Sequence, residues 1–169
     1  SPVVYEKSDE VVAAYAAKRC DVYSTDKSGL YAQRLKLPDP DGHVILPEIL
    51  SKEPLGPVVR QGDDGWFNIV RWTLFALVGA EELGVTSSNV GTLQQSTPDP
   101  RIKRFVGLEG NAGANMGVDA QWAVRAIEAV GNYGELFERH LGDGSRLKIE
   151  RGLNRLWSKG GLQYAPPIR

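Results

Sequence analysis

Arg19-Cys20-Asp21-Val22-Tyr23-Ser24-Thr25-Asp26 alternates apolar and polar residues and ends in a carboxylate, and Lys27-Ser28-Gly29 then opens a helical pattern. The alternation predicts a strand over Cys20–Thr25 with Asp26 at its exit. In an open α/β sheet, ligands bind just beyond the carboxyl ends of the strands. A carboxylate placed there suits a small cationic group such as an α-ammonium. The same residue also reads as the N-cap of the helix that follows. The two roles are compatible, because one carboxylate can cap a helix and face a cleft.

Working outward, the 46 residues that contain this stretch read β-α-β-α-β. Val3-Val4-Tyr5 is a short β-type run, and Ser8 opens a helix to about Ala17 with Asp9 and Glu10 favourable to its dipole. Val11, Val12, Tyr15 and Ala16 form that helix's apolar stripe. A second helix over about Ser28–Leu35 stops before the turn Pro38-Asp39-Pro40-Asp41-Gly42, and His43–Leu46 is another short strand. Such alternation belongs to a parallel sheet covered by helices. Pro47, Pro54 and Pro57 then punctuate a segment too proline-rich for a sheet interior, which predicts an extended crossing between two bodies over 47–57.

The remainder is helical. Asp63 or Asp64 caps the longest helix, about Gly65–Leu83, with Phe67, Val70, Leu74, Leu77 and Val78 as its buried face and Gly84 as its stop. Shorter helices follow over Thr86–Gln95 and Pro100–Val106, the second with proline at its start. Residues 107–117 are glycine-rich and loop-like. Gly117 or Asp119 starts a helix to Val130, Tyr133–Leu141 forms another, and Leu147–Trp157 a last one before Gly160-Gly161. The four tryptophans fall on helices and are expected mostly in the core.

Composition narrows the function. The 169 residues carry a net charge of −1 with no basic block, so nothing marks a nucleic-acid surface. The longest apolar run, Trp72–Ala80, is far short of the about 20 residues that span a bilayer. Ser1–Tyr5 has neither the basic start nor the apolar core of a signal peptide. His43 and His140 stand apart without cysteines or paired carboxylates at ligand spacing, so no zinc site is expected. Asp39-Pro40-Asp41-Gly42 lacks the bidentate glutamate of a calcium loop, because Leu50 occupies that position. Gly107, Gly110, Gly113 and Gly117 are not preceded by a strand, and no Gly-Lys-Ser/Thr follows, so they read as a surface loop rather than a phosphate loop. Cys20, the one cysteine, reads as a buried inert thiol. No nucleophile, metal or cofactor motif stands out, and no cofactor is expected.

Four runs read together resemble one family. They are Arg19–Leu30, Leu46–Asp63 (Leu-Pro-Glu-Ile-Leu-Ser-Lys-Glu-Pro-Leu-Gly-Pro-Val-Val-Arg-Gln-Gly-Asp), Val130–Arg139 (Val-Gly-Asn-Tyr-Gly-Glu-Leu-Phe-Glu-Arg) and Gly161–Arg169 (Gly-Leu-Gln-Tyr-Ala-Pro-Pro-Ile-Arg). Together they resemble the periplasmic amino-acid-binding proteins of ABC importers, nearest to the general L-amino-acid-binding branch. The resemblance implies an α/β fold of the type II-like, two-lobe kind, of which this chain is the C-terminal half. Residues 1–46 would belong to lobe 2, 47–57 to the hinge with Glu48, Glu53 and Pro54, and 58–169 to a helix-rich part of lobe 1. It implies that Asp26 meets the ligand's α-ammonium and that Thr25 touches its side chain. The arginine that clamps the α-carboxylate lies in the half not present. It also gives Cys20 a disulfide partner there. The implied function is capture of L-amino acids in the periplasm and delivery to an inner-membrane permease, without catalysis. The implied partners are the ligand, the permease, and the missing N-terminal half or a second copy of the chain. Two rival functions stay open: a stand-alone interaction or sensor module, and a periplasmic-type dehydratase acting on a carboxylate substrate.

Overall fold

The structure, a computed structural model, describes residues 1–52 and 54–168. The chain divides into two compact units, Ser1–Leu55 and Gly56–Arg169, and the division falls inside the segment expected to cross between bodies.

Among the described residues the first unit holds two helices, α1 (Ser8–Ala16) and α2 (Lys27–Arg34), and a single 3-10 turn at Pro40–Gly42. Helix α1 ends in a left-handed cap. Lys18 takes φ 55°, the Arg19 N–H donates to the Ala14 carbonyl and the Lys18 N–H to the Tyr15 carbonyl. Glycine is the usual occupant of that position, so lysine there carries backbone strain. The segments expected as strands, Val3–Tyr5, Cys20–Thr25 and His43–Leu46, form no ladder among the described residues. The physical reason is pairing: a strand needs a neighbour to accept its N–H groups, and among the described residues of this unit no two extended segments lie paired. Its apolar side chains follow suit. Ala14 is the one buried hydrophobic of the unit among the described residues, whereas Val22, Val44, Leu46 and Ile49 are each at least 61% exposed. Cys20 is half-buried rather than sealed in an apolar strand.

The second unit has a genuine core. Helix α3 (Asp64–Glu82) is capped by the Asp63 side chain, which accepts from the Trp66 N–H at 2.9 Å. It ends at Gly84, whose φ of 69° lets the Val85 N–H reach the Ala80 carbonyl. Helices α4 (Val90–Gln95), α5 (Pro100–Phe105), α6 (Ala112–Asn115), α7 (Trp122–Val130) and α8 (Tyr133–His140) follow. Helix α3 packs against α7 and α8, and α4 against α7. Ala76, Ala80, Val85, Val90, Phe105, Val106, Ala123, Val124 and Ile127 form the main core. Val78, Leu156 and Ala165 form a second cluster with Phe75 and Tyr133.

Three expectations need correction here. The buried face of α3 is narrower than its periodicity predicts, because only Ala76, Val78 and Ala80 are buried and Phe67 is exposed. No tryptophan is fully buried: Trp66 and Trp157 are about half exposed, and Trp72 and Trp122 are half-buried, Trp122 packed against the main core. Residues 147–157 do not form a helix. Lys148 takes φ 51° and Gly152 φ 47°, and the Ile149 N–H bonds back to the Leu141 carbonyl. Tertiary bonds made by Ile149 and Arg151 outweigh the helical propensity of this stretch.

The Gly-Asn-Tyr-Gly-Glu run at 131–135 is a staple. The buried Asn132 side chain accepts from the Glu135 N–H at 2.9 Å and donates to the Val85 carbonyl at 2.8 Å. Glu135 accepts from the Asn132 N–H at 2.8 Å, and from the Ser87 N–H and hydroxyl, the latter at 2.6 Å. This capping box therefore ties the loop after α3 to the start of α8. Asn132→Ala removes the cap and strands the Val85 carbonyl, so a loss of about 2 kcal/mol is expected in urea unfolding. Burial alone would raise the Glu135 pKa, but the bonds from Ser87 and Asn132 and the charge of Arg139 outweigh it, and the net direction is down. A depressed carboxylate adds stability above its unfolded pKa that disappears as pH falls through its folded value. Glu135→Gln should therefore flatten the acid limb of the stability profile, as melting temperatures at graded pH would show.

Candidate functional site

Asp26 stands at the N-cap position of α2 with extended backbone (φ −51°, ψ 140°), and its carbonyl accepts from the Leu30 N–H at 2.8 Å. Its carboxylate makes no bond to the helix's first amides. Of the two roles open from the sequence, side-chain capping is thus the one the geometry does not use. Thr25 and Asp26 are both exposed. Gly29 lies one turn away, where a Cβ would sit 3.4 Å from Thr25 Cγ2. The small residue leaves the Thr25 side chain its place over the helix start.

The stretch before Asp26 is held by polar and aromatic contacts rather than by a sheet. The Tyr15 ring lies 6.5 Å from that of Tyr23 and 5.3 Å from that of His43. The Tyr15 hydroxyl and His43 Nδ1 are hydrogen-bonded at 2.8 Å. Gln33 Nε2 of α2 donates to Ser8 Oγ of α1 at 3.0 Å, and Ser8 Oγ is 3.4 Å from the Tyr23 hydroxyl. These links fix α1, the 19–26 stretch and α2 to one another, and they set where Asp26 is presented. Sequence reading sets His43 aside as a metal ligand but gives no sign of this tyrosine–histidine contact, which joins residues 28 positions apart.

Glu48 and Pro54, the expected hinge residues, lie in exposed backbone outside any helix or strand. Glu53 lies outside the described residues. Among the described residues no group of three or more His, Cys, Asp or Glu side chains converges to hold a metal, and no helix is long and apolar enough to cross a membrane. His140, the other histidine, accepts from Arg139 Nε at 3.2 Å. The arrangement can present a carboxylate and a hydroxyl to a small cation.

No protein-family model matches the chain. Individual relatives do. Over 171 aligned residues and the whole of this chain, it is 61% identical to the General L-amino acid-binding periplasmic protein AapJ of Rhizobium johnstonii. It is 51% identical over its full length to the Putative amino-acid ABC transporter-binding protein YhdW of Escherichia coli. The same identity holds for the Glutamate/glutamine/aspartate/asparagine-binding protein BztA of Rhodobacter capsulatus. Among solved structures, the ABC transporter periplasmic binding protein from Brucella ovis with glutathione bound superposes with a TM-score of 0.93 at 56% identity, covering all of this chain and 53% of that one. The chain spans about half the length of the curated relatives it matches, 50% in each case. Sequence and backbone agree from end to end of the chain, which is similar throughout to one half of the periplasmic amino-acid-binding proteins of ABC transporters.

Proposed function

We propose that this chain supplies the ammonium-binding side of a periplasmic amino-acid receptor serving an ABC importer, with Asp26 on the α-ammonium and Thr25 beside the ligand's side chain. The observation that carries the reading is the 61% identity, over the whole of this chain and half of the relative, to a general L-amino-acid-binding protein. A zwitterion leaving water needs both charges met, because an unpaired buried charge costs several kcal/mol. A carboxylate serves the ammonium here, and the rest of the protein supplies an arginine fork for the ligand carboxylate. Glu48, Glu53 and Pro54 form the crossing about which the lobes close, and closure presents the loaded protein to the permease. Calorimetric titration of the whole protein with a panel of L-amino acids tests this. Saturable binding of several of them is expected, and no binding by any removes the reading. Glutathione belongs in the panel, since its γ-glutamyl end carries a free α-ammonium and α-carboxylate and the Brucella ovis relative was solved with it bound.

The first unit supports the same reading from its surface. Val22, Val44, Leu46 and Ile49 lie exposed beside one buried alanine, too little apolar burial to hold such a unit together. The missing half of the family's length, or a second copy of the chain, covers them, and Cys20 pairs with a cysteine of that half. Light scattering after size exclusion should find the isolated chain self-associated or partly unfolded. A compact monomer with one cooperative melt would contradict this.

A further inference from the structure

The glycine-rich stretch takes no part in the Asp26 site, yet it walls a cavity of about 230 Å³ in the second unit, bordered by Arg104, Gly107, Gly110, Asn111, Asp119 and Trp122. The wall is locked by close backbone contacts. A Cβ on Gly107 would lie 2.1 Å from the Ala120 carbonyl oxygen, and one on Gly113 2.2 Å from that of Asp119. The charges around it are unevenly matched. Glu109 is paired with Lys103 at 3.6 Å and Asp119 with Arg125, so both bordering carboxylates already have cations. Arg104 is half-buried, its Nε is buried with no hydrogen-bond partner, and it joins no ion pair among the described residues. A partly desolvated guanidinium without a counter-charge is costly, and its planar fork matches carboxylate and phosphate oxygens.

We propose that this cavity binds a small oxyanion, a carboxylate or phosphate group held by Arg104, as a ligand site in addition to the one at Asp26. The volume suits a molecule of a few heavy atoms beyond the anionic group and is smaller than the 300–1,000 Å³ or so of sites for larger ligands. The indole of Trp122 gives the cavity an apolar wall against which a short carbon chain rests.

The test is an amide-shift titration of the ¹⁵N-labelled whole protein with sodium acetate, sodium phosphate and sodium chloride at constant ionic strength. Acetate or phosphate should shift Gly107, Gly110 and Asn111 saturably at millimolar concentrations, while chloride leaves them in place. A preference for acetate marks a carboxylate ligand, and a preference for phosphate a phosphorylated one. Arg104→Gln should abolish the shifts while the resonances of Ala123 and Ile127 stay where they are. Arg101→Gln, which removes a cation outside the cavity, should leave the shifts intact. If Arg104→Gln disturbs the core, Arg104→Lys keeps the charge without the fork and should weaken binding at least tenfold. Absence of saturable shifts with both anions, or shifts that survive both Arg104 variants, overturns the proposal.

Discussion

Arg151→Met is expected to destabilise the second unit by about 4 kcal/mol, because it leaves Glu81 buried and unpaired. The two residues form a bidentate pair, Nη1 to Oε1 at 2.7 Å and Nη2 to Oε2 at 3.0 Å, with side chains only 15% and 11% exposed. The guanidinium also lies 5.4 Å from the ring centroids of both Tyr133 and Phe137, and its Nη2 donates to the Asn154 carbonyl at 2.7 Å. One side chain thus joins α3, α8 and the irregular 151–154 turn. Gly134 permits the approach: a Cβ there would stand 3.0 Å from Glu81 Cδ. Urea unfolding measures the loss, and a change below about 1 kcal/mol would show that the pair does not hold these elements. The double variant Glu81→Leu/Arg151→Met should recover much of the stability, since replacing both charges removes the desolvation cost along with the attraction.

Asp26→Ala should lower amino-acid affinity of the whole protein by at least about 100-fold, the scale on which losing one partner of a desolvated charge pair is felt. Its effect on folding should stay within about 1 kcal/mol, the most that an interaction of an exposed side chain adds, because Asp26 is exposed and its side chain does not cap α2. That split between binding and stability separates a ligand residue from a helix cap. An equal loss of both, or unchanged affinity, removes Asp26 from the site.

The elements legible in the sequence are those whose ends are written in side chains. Asp63 and the Asp99-Pro100 pair start α3 and α5 with capping bonds to the Trp66 and Arg101 N–H groups, and Gly84 stops α3. The expected strands are a different case. Cys20–Thr25 and His43–Leu46 have the right alternation, but strand formation depends on a partner that no local pattern reveals. The 147–157 segment misleads because Arg151 answers to Glu81, 70 positions away. The four-residue helix α6 lies inside the glycine-rich run, where propensity argues against any helix. The candidate site is legible only through family resemblance, since a carboxylate before a helix reads equally well as a cap. Arg104 carries no sequence signal at all; its isolation becomes visible only when its neighbours' ion pairs are known.

Recognition of the ligand's ammonium is the central claim, and one paired titration addresses it. The whole protein is titrated calorimetrically with L-glutamine and with N-acetyl-L-glutamine, which differ at the group that Asp26 is proposed to meet. Saturable binding of the free amino acid and none of the acetylated one is the expected result. Equal affinity for the two would contradict it.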